Sequence, residues 1–411
     1  MIRSMYSAVS GLRSHQIMMD VVGNNIANVN TQGYKRNTAI FQDVLSQVIS
    51  GASTPTATAG GRNPSQVGLG VMMSGTAQQF GQGFLQITNR DLDVAIQGDG
   101  FLVMEKAGET LYTRAGALFV DADARLVSSG GGLIQGWGAD ATGNIDPTMA
   151  PGVIRLPVGD QNPPVVTSEV KLGGNLPAAS PIGEIVNAAV EVFDSTGAAI
   201  TVDMSYEKTA ADEWTATATY GDPPTAIALT DNVLTFVDGE LTAPADLGID
   251  IAAGQIPGVQ DVTLIIGGGT DRRVTQYSDE TSLAVVTQNG APAGVLQSIR
   301  VGPDGVIVGT YSNGLTNPIA MLAVANFSNS EGLERVTGSN WRASSNSGLA
   351  QLGPTGTGGR GSIAPGTLEM SNVDLALEFT ELIRSQRGFQ ANSRVVTSSD
   401  ELLQEIVNLK R

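Results

Sequence analysis

The sequence contains no cysteine, a single histidine and few aromatic residues. The absence of cysteine excludes disulfide frameworks, cysteine-based zinc sites and thiol nucleophiles. A Ser–His–Asp triad would have to use His15, which lies inside a predicted helix. Aromatic residues make up only 5% of the 411 residues, whereas glycine occurs 51 times. This combination is typical of β-rich domains with many tight turns.

Long apolar runs are also absent. The longest strongly apolar run, from Ile319 to Ala325, is far too short to span a bilayer, so we expect no membrane insertion. The N-terminus, Met1-Ile2-Arg3-Ser4-Met5-Tyr6, is not followed by the apolar stretch of a cleavable signal peptide. If the protein leaves the cell, we therefore expect it to use a route that does not cut its N-terminus.

Positive charge is scarce in the middle of the chain. The net charge is −17, and residues 71–339 carry 31 acidic residues against 11 basic ones. An acidic body repels phosphate backbones, so we expect no nucleic-acid partner. The same charge would help to keep a crowded extracellular surface soluble.

No motif for catalysis, cofactor binding or metal binding emerges. Gly267-Gly-Gly269 lacks the spacing of a dinucleotide fingerprint, and a P-loop does not occur. Asp121-Ala-Asp123-Ala-Arg125 begins like a calcium loop, but Arg125 occupies a ligand position, so we predict a turn. With 40 acidic residues, chance carboxylate pairs such as Asp91 and Asp93 are inevitable. We therefore predict that the protein is not an enzyme and has no catalytic residues, cofactor or metal.

The two ends of the chain share a heptad pattern of apolar residues, which predicts a helix at each terminus. Ser371 or Asn372 could cap the second helix, and Asp374 lies near its start, where the helix dipole favours a carboxylate. Isolated amphipathic helices are marginal in water, so both stripes need partners, either each other or copies in neighbouring subunits. The predicted assembly seam consists of Met5, Val9, Leu12, Met19, Ile26, Leu375, Phe379, Leu382, Phe389, Val396, Leu403 and Val407.

Between the helices the pattern changes to short strands and turns. Trp214, Ala216, Ala218 and Tyr220 alternate with threonine as in a half-buried strand, and Leu92–Gln97, Gly98-Asp-Gly and Phe101–Met104 read as a hairpin. We predict a multidomain fold in which the terminal α-helices form a coiled-coil-like inner domain and two mainly-β domains are nested by insertion. The predicted parts are terminal helices at 1–30 and 367–411, Gly/Pro/Thr-rich linkers at 31–70 and 353–366, an inner β domain at 71–156 and 285–352, and an outer inserted β domain at 157–284.

The segment from Gly23 to Lys35 resembles the signature of flagellar rod and hook proteins. Its asparagine and glycine residues tolerate left-handed backbone and form side-chain turns, which suits a shaped end to the helix. The residues that carry the resemblance are Asn24, Asn25, Ala27, Asn28, Thr31, Gly33 and Lys35. The resemblance continues through most of the chain outside residues 150–284, including Gly98-Asp-Gly-Phe-Leu102 and Gln386-Arg-Gly-Phe-Gln-Ala-Asn392.

This resemblance implies a structural role in the bacterial flagellum. Within the family, the inserted segment at 157–284 favours a hook subunit, which forms a curved flexible tube that transmits torque from rod to filament. The expected partners are copies of the chain itself, rod and hook–filament junction proteins, the hook cap during assembly and the export apparatus. The expected location is extracellular, after export by the flagellar type III pathway without cleavage.

Two other readings remain open at the level of the sequence. A rod subunit would share the helices and the signature but usually lacks a sizeable inserted domain. An extracellular β-rich adhesin or carbohydrate-binding protein would explain the acidic, Thr/Gly-rich middle but not the paired heptads.

Overall fold

The structure is a computed structural model that describes residues 2–55, 60–140, 142–244, 248–266 and 273–409, with the side chains of Ile2, Val407 and Leu409 excepted. Helix α1 spans Ile2–Ala27 and helix α2 spans Leu375–Leu409. The prediction of terminal helices around a mostly-β middle is confirmed. Neither helix, over its described residues, has an apolar stretch of the length needed to cross a membrane.

Helix α2 begins eight residues later than the predicted segment, because residues 367–369 form a strand instead. Its cap is Asp374, whose Oδ1 accepts hydrogen bonds from the backbone N–H groups of Ala376 (2.8 Å) and Leu377 (3.3 Å). These bonds satisfy donors that have no partner inside the first turn of a helix.

The strands are numbered in chain order. Strands β1 to β12 are Asn37–Asp43, Ser46–Ser50, Ser65–Gly68, Val71–Gln78, Leu85–Ile87, Val94–Gln97, Phe101–Lys106, Glu109–Thr113, Leu118–Val120, Leu126–Ser128, Leu133–Gly138 and Gly152–Val153. Strands β13 to β25 are Gln161–Asn162, Glu169–Asn175, Ile185–Phe193, Ala199–Ala210, Glu213–Tyr220, Thr225–Ile227, Leu229–Thr230, Val233–Val237, Glu240–Ala243, Gly248–Ile251, Val262–Ile265, Val274–Thr275 and Ala284–Gln288. Strands β26 to β34 are Gly294–Val301, Val306–Tyr311, Thr316–Leu322, Val324–Asn326, Glu334–Val336, Asn340–Arg342, Gln351–Gly353, Ser362–Pro365 and Thr367–Glu369, with a 3₁₀ turn at Ser330–Gly332.

The chain divides into two compact units. Unit 1 comprises 1–156, 299–308 and 318–411, and unit 2 comprises 157–298 and 309–317. In unit 1, strands β28, β11, β7, β8, β31 and β30 are neighbours in one sheet. Its core has an aliphatic part around Leu102, Ile134 and Leu322 and an aromatic part in which Phe101 contacts Trp341, with ring centroids 5.5 Å apart.

Unit 2 is built on a second sheet, in which β15, β16, β17 and β20 pair in order and the parallel pair β14–β23 lies further along. The strand predicted around Trp214 is confirmed as β17, where Trp214, Ala216 and Ala218 are buried. Alternation of this kind places one face of a strand in the core and the other in solvent.

Unit 1 also contains a long β ribbon where the sequence predicted a linker. Strand β1 pairs with β4 from Asn37/Gln78 to Asp43/Val71, and β2 pairs with β3 from Ser46/Gly68 to Ser50/Ser65. We call residues 37–50 with 65–78 the ribbon. The second predicted linker, 353–366, likewise contains a strand, β33, which pairs with β6.

The hairpin predicted at 92–104 is wrong. Strand β6 pairs with β33, and β7 pairs with β8. Gly98 and Gly100 both have positive φ, and the N–H of Gly361 donates to the carbonyl of Asp99 at 2.6 Å. The loop therefore turns β7 away from β6 and leaves that edge to the C-terminal part of the chain.

Candidate assembly site

The two terminal helices lie side by side and run antiparallel. A Cβ atom added to Gly11 would lie 2.6 Å from the Asn392 amide, and one added to Gly388 would lie 2.4 Å from the His15 ring. At the other end of α1, the Asn25 amide donates to the Glu378 carboxylate at 3.1 Å. In these contacts, rising residue numbers in α1 meet falling residue numbers in α2, as in an antiparallel pair. The close approach of the two helices depends on Gly11 and Gly388.

The buried positions of the helix pair are small or polar rather than apolar. On α1, the buried residues are Ala8, Gly11, Ser14, Val22 and Asn25. Among the described side chains of α2, the buried ones are Glu378, Ser385 and Ser399. The fully buried positions therefore remove little apolar surface from water.

The residues of the predicted seam lie beside this buried line. Val9, Leu375, Phe379 and Phe389 are exposed. Half-buried seam residues are Met5, Leu12, Met19, Ile26, Leu382, Val396 and Leu403. The side chain of Val407 lies outside the described residues.

Other large apolar side chains of the two helices are also exposed, namely Tyr6, Leu377, Ile383, Val395, Leu402 and Ile406. Phe379 is 50% exposed and Ile383 is 57% exposed. Exposed apolar surfaces of this kind are typical of places where a protein contacts another molecule.

The ribbon presents a second apolar surface. Its exposed apolar residues are Ile40, Val44, Leu45, Val48, Ile49, Val67, Leu69, Val71 and Met72. It runs back along α1, because Asn25 bonds to the backbone of Asn37, and the N–H of Val71 donates to Ser10 Oγ at 3.3 Å. The ribbon therefore adds apolar surface next to the helix pair.

The signature residues form the corner that follows α1. The Asn28 amide donates to both the carbonyl and the side chain of Asn24 at 2.8 Å, and Thr31 Oγ1 donates to Asn28 Oδ1 at 3.1 Å. Ala27 is exposed at the end of the helix. Gly33 has φ +65°, and a Cβ there would lie 2.8 Å from the backbone nitrogen of Ala115, so glycine is required.

A buried carboxylate, Glu369, holds Lys35 beyond this corner. Lys35 Nζ lies 2.7 Å from Glu369 Oε1 and 2.8 Å from the Gly81 carbonyl oxygen. The N–H of Gly83 also donates to Glu369 Oε1 (2.8 Å), and Arg114 lies 3.5 Å from the other carboxylate oxygen. Burial lowers the pKa of Lys35 from 10.5 to about 8; the neighbouring Arg114 adds to this effect and Glu369 opposes it.

A second buried carboxylate, Glu378, lies in the first turns of α2. It accepts hydrogen bonds from Arg36 Nε and from the Asn25 amide, and its side chain is 0% exposed. Asn25 Oδ1 in turn accepts from the hydroxyl of Tyr34 at 3.2 Å. Three signature residues, Asn25, Gly33 and Lys35, thus lie where the helices meet the β structure.

Sequence reasoning missed Arg36, Arg114, Glu369 and Glu378 as parts of this site. One sequence feature could have identified Glu369 as part of the site: it is a charged residue that directly follows Thr367-Leu368 in a strand-like segment. In the described part of the chain, no three His, Asp or Glu side chains converge to hold a metal ion. The predicted turn at Asp121 is confirmed, since its Oδ1 accepts from the N–H groups of Asp123 and Arg125.

Comparisons with known proteins agree with this layout. Residues 5–35 match the family model "Flagella basal body rod protein", residues 95–167 match "Flagellar hook protein FlgE/F/G D1 domain", and residues 364–409 match "Flagellar basal body rod FlgEFG protein C-terminal". A solved structure of the Helicobacter pylori flagellar hook protein FlgE2 covers 69% of this chain with a TM-score of 0.50 and 14% identity, which supports the fold.

Similarity extends over entire chains. The flagellar hook protein FlgE of Borreliella burgdorferi is 38% identical and that of Treponema pallidum 35% identical, each over 100% of both chains. The FlgE protein of Escherichia coli is 32% identical over 98% of this chain and 99% of its own. At these identities over the full length, the chain belongs to the FlgE family of flagellar hook proteins.

Proposed function

We propose that the protein is the structural subunit of the flagellar hook and that it polymerises by burying the apolar faces of its terminal helices against other copies of itself. The observation that carries the proposal is the division of the helix pair: small and polar residues face inward, and apolar residues such as Phe379 and Ile383 face outward. A helix pair arranged in this way is completed by neighbours rather than by its own chain.

A second copy of the chain is the occupant that fits both apolar surfaces. Helices with a heptad stripe pack well against helices of the same kind, because side chains of one interlock between those of the next. The ribbon lies along α1, so copies that pack against the helices also meet the apolar residues of the ribbon, such as Leu45 and Ile49. A contact between unlike surfaces forms a ring if its rotation closes and a helical polymer if it does not, and the proposal requires the second outcome.

The finer parts of the proposal concern the architecture and the partners of the polymer. The terminal helices form a coiled-coil-like inner domain, and the β domains at 71–156 with 285–352 and at 157–284 are nested by insertion. The grouping of residues 157–298 into unit 2 supports the insertion. The polymer forms a curved tube that joins rod and filament and transmits torque, and it contacts rod proteins, junction proteins and, during assembly, the hook cap.

The rod subunit and the adhesin remain weaker candidates. A basal-body rod protein FlgG of Bacillus subtilis is also similar, at 29% identity over 100% of both chains, but the hook relatives named above are more similar. An adhesin reading leaves the apolar helix faces without a role. We propose export through the flagellar apparatus without cleavage, a non-enzymatic role and an extracellular location.

The test replaces an exposed apolar residue of α2 by aspartate. Phe379 is half exposed, so Phe379→Asp leaves the isolated chain folded but places a charge in the proposed contact. Loss of one buried aromatic contact costs about 1.5–3 kcal/mol, so the critical concentration for polymerisation should rise about tenfold or more. Sedimentation and electron microscopy of the purified protein measure this change.

Ser398→Asp is the matched control, because it places the same charge at an exposed polar position of the same helix, about 100° around the helix axis from Phe379. It should polymerise as the wild type does. If Phe379→Asp formed tubes at the wild-type critical concentration, the helix face would not be an assembly surface.

A further inference from the structure

Two buried carboxylates flank the point where the chain passes from strand β34 into helix α2. Glu369 is the last residue of β34, and Glu378 lies in the first turn of α2. They are 1% and 0% exposed, respectively. A carboxylate this deeply buried requires charged or hydrogen-bonding partners, because its desolvation is otherwise very unfavourable.

The partners of both carboxylates come from one short segment after α1. Lys35 donates to Glu369 and Arg36 donates to Glu378. Consecutive residues of an extended segment point to opposite sides, so neighbouring cations reach two carboxylates that lie nine residues apart in the chain. The segment thus passes between the last strand and the helix.

Backbone hydrogen bonds hold the same segment from both sides. The N–H of Gly33 donates to the Glu369 carbonyl at 2.8 Å, and the N–H of Arg36 donates to Asn372 Oδ1 at 2.8 Å. The Asn372 amide donates onward to the carbonyls of Gln79 (2.7 Å) and Gly81 (3.1 Å). The short stretch between β34 and α2 is therefore tied at Glu369 to the segment after α1, and at Asn372 both to that segment and to the chain that follows β4.

We propose that Glu369 and Glu378 are positioning residues that together fix the angle at which α2 leaves the β structure of unit 1. We call these two residues with Lys35, Arg36, Asn25 and Arg114 the carboxylate clamp. One fixed point would leave α2, together with the α1 helix packed along it, free to pivot against the β structure, whereas two points on either side of the junction set its direction. In the hook, the clamp would carry load between helices and β structure; that consequence rests on the proposed function, but the fixed angle does not.

The absence of cysteine makes a direct measurement possible. Ser398→Cys in α2 and Thr110→Cys in β8 place the only thiols of the chain at two exposed positions, so two spin labels report one distance within unit 1. Ser398 lies far enough along α2 for a change in the angle of the helix to change this distance. Pulsed electron paramagnetic resonance on dilute full-length monomer gives the distribution of that distance. The unaltered clamp should give one narrow distribution.

Glu369→Gln and Glu378→Gln should each broaden the distribution at least twofold, and the double variant should broaden it further. Glu401→Gln is the control, because Glu401 is an exposed carboxylate of the same helix. A broad distribution in the unaltered chain, or an unchanged width in the double variant, would overturn the proposal. Polymer formation does not enter the measurement, so failure of the proposed function would not be mistaken for failure of the clamp.

A combined variant separates positioning from stability. Glu369→Gln alone leaves Lys35 buried without its carboxylate, and Lys35→Met in the same chain removes that unpaired charge. The combination should restore the melting temperature of unit 1 towards that of the unaltered clamp, yet the distance distribution should stay broad. Recovery of the narrow distribution together with the melting temperature would show that Glu369 acts through stability alone.

Discussion

At the scale of single residues, Lys35 occupies an unusual electrostatic position. Two buried cations, Lys35 and Arg114, share the carboxylate Glu369, so one positive charge is left without a matching negative charge. Loss of one partner from a buried pair of charges typically destabilises a protein by about 3–5 kcal/mol. Burial is the main reason why the pKa of Lys35 falls despite the adjacent carboxylate, and the second cation, Arg114, adds to the effect.

This position gives the stability of unit 1 a characteristic dependence on pH. The pKa of Lys35 is about 8 in the folded chain, against 10.5 ordinarily, so the unfolded chain binds more protons between these pH values. The free energy of unfolding therefore rises with pH across this window, by on the order of 3 kcal/mol. Lys35→Met should lack this rise.

Denaturant unfolding at a series of pH values measures the effect. In a Trp214→Phe background, tryptophan fluorescence reports unit 1 alone, through Trp137 and Trp341. Lys106→Met, at an exposed position, should keep the rise of the wild type. If the free energy of unfolding rose with pH by the same amount in Lys35→Met and in Lys106→Met, the pKa of Lys35 would not be lowered in the folded chain.

The sequence predicts only the N-terminal residues of this site. The signature identified Asn25, Gly33 and Lys35, because runs of glycine and asparagine indicate unusual backbone geometry. Their partners Glu369 and Glu378 lie more than 300 positions away in the chain. Spacing within a sequence carries no information on which distant carboxylate meets a given cation, so the pairing could not be predicted.

At the scale of elements, the period of the helices could be predicted but not the face that is buried within the chain. Apolar residues in a heptad pattern are normally expected to point into the core of their own chain. In this helix pair the inward positions include Gly11, Ser385 and Gly388, which permit close approach, while Phe379 points outward. The heptad pattern of apolar residues is present, but in the single chain these residues lie at or near the surface.

The close approach of the helices can be tested at two glycines of contrasting surroundings. Gly388→Ala places a methyl group against the His15 ring, which must move, whereas Gly23→Ala meets nothing within 4 Å. Alanine in place of a helical glycine stabilises a helix by about 0.5–1 kcal/mol. Gly23→Ala should therefore have a higher helix content than the wild type. Gly388→Ala should have a lower helix content than Gly23→Ala.

Far-UV circular dichroism on dilute monomer measures helix content, and hydrogen exchange over 2–27 and 375–409 locates the change. Slower exchange in both helices of Gly388→Ala than in those of Gly23→Ala would contradict the glycine-dependent contact.

Composition misled the prediction for the ribbon. Glycine, proline and serine favour turns and loops, so the low-complexity composition of residues 31–70 predicted a linker. Strands β1 and β2 nevertheless pair with β4 and β3, and the paired runs contain β-branched residues, such as Val48, Ile49 and Val67, which favour strands. Whether two short segments pair as strands depends on the contacts that they make together, so the composition of either segment alone does not predict it.

At the scale of the whole molecule, charge is concentrated in unit 2. Its residues include 19 acidic and 4 basic side chains, a net charge of −15, whereas unit 1 carries 21 acidic and 19 basic ones, a net charge of −2. Like charges keep the units 2 of different copies apart at low ionic strength. This distribution is consistent with the proposed polymer contacts, which lie in the nearly neutral unit 1 together with the apolar helix faces.

This division predicts that residues 157–298 fold on their own. Their core, which includes Val190, Met204, Trp214, Leu234 and Ile249, is drawn entirely from within that stretch. A segment that buries its own apolar residues should unfold cooperatively without the rest of the chain. The fragment should show the blue-shifted emission of a buried Trp214 and a single melting transition.

The fragment should also remain monomeric at concentrations where the full chain polymerises, since it lacks both helices and the ribbon. Fluorescence melting and sedimentation of the fragment and the full chain, in the same buffer, provide the comparison. An unfolded fragment would mean that the segment depends on unit 1 for its core. A folded fragment that assembled into tubes would move the polymer contact from the helices to the acidic unit, against the repulsion that its charge of −15 imposes.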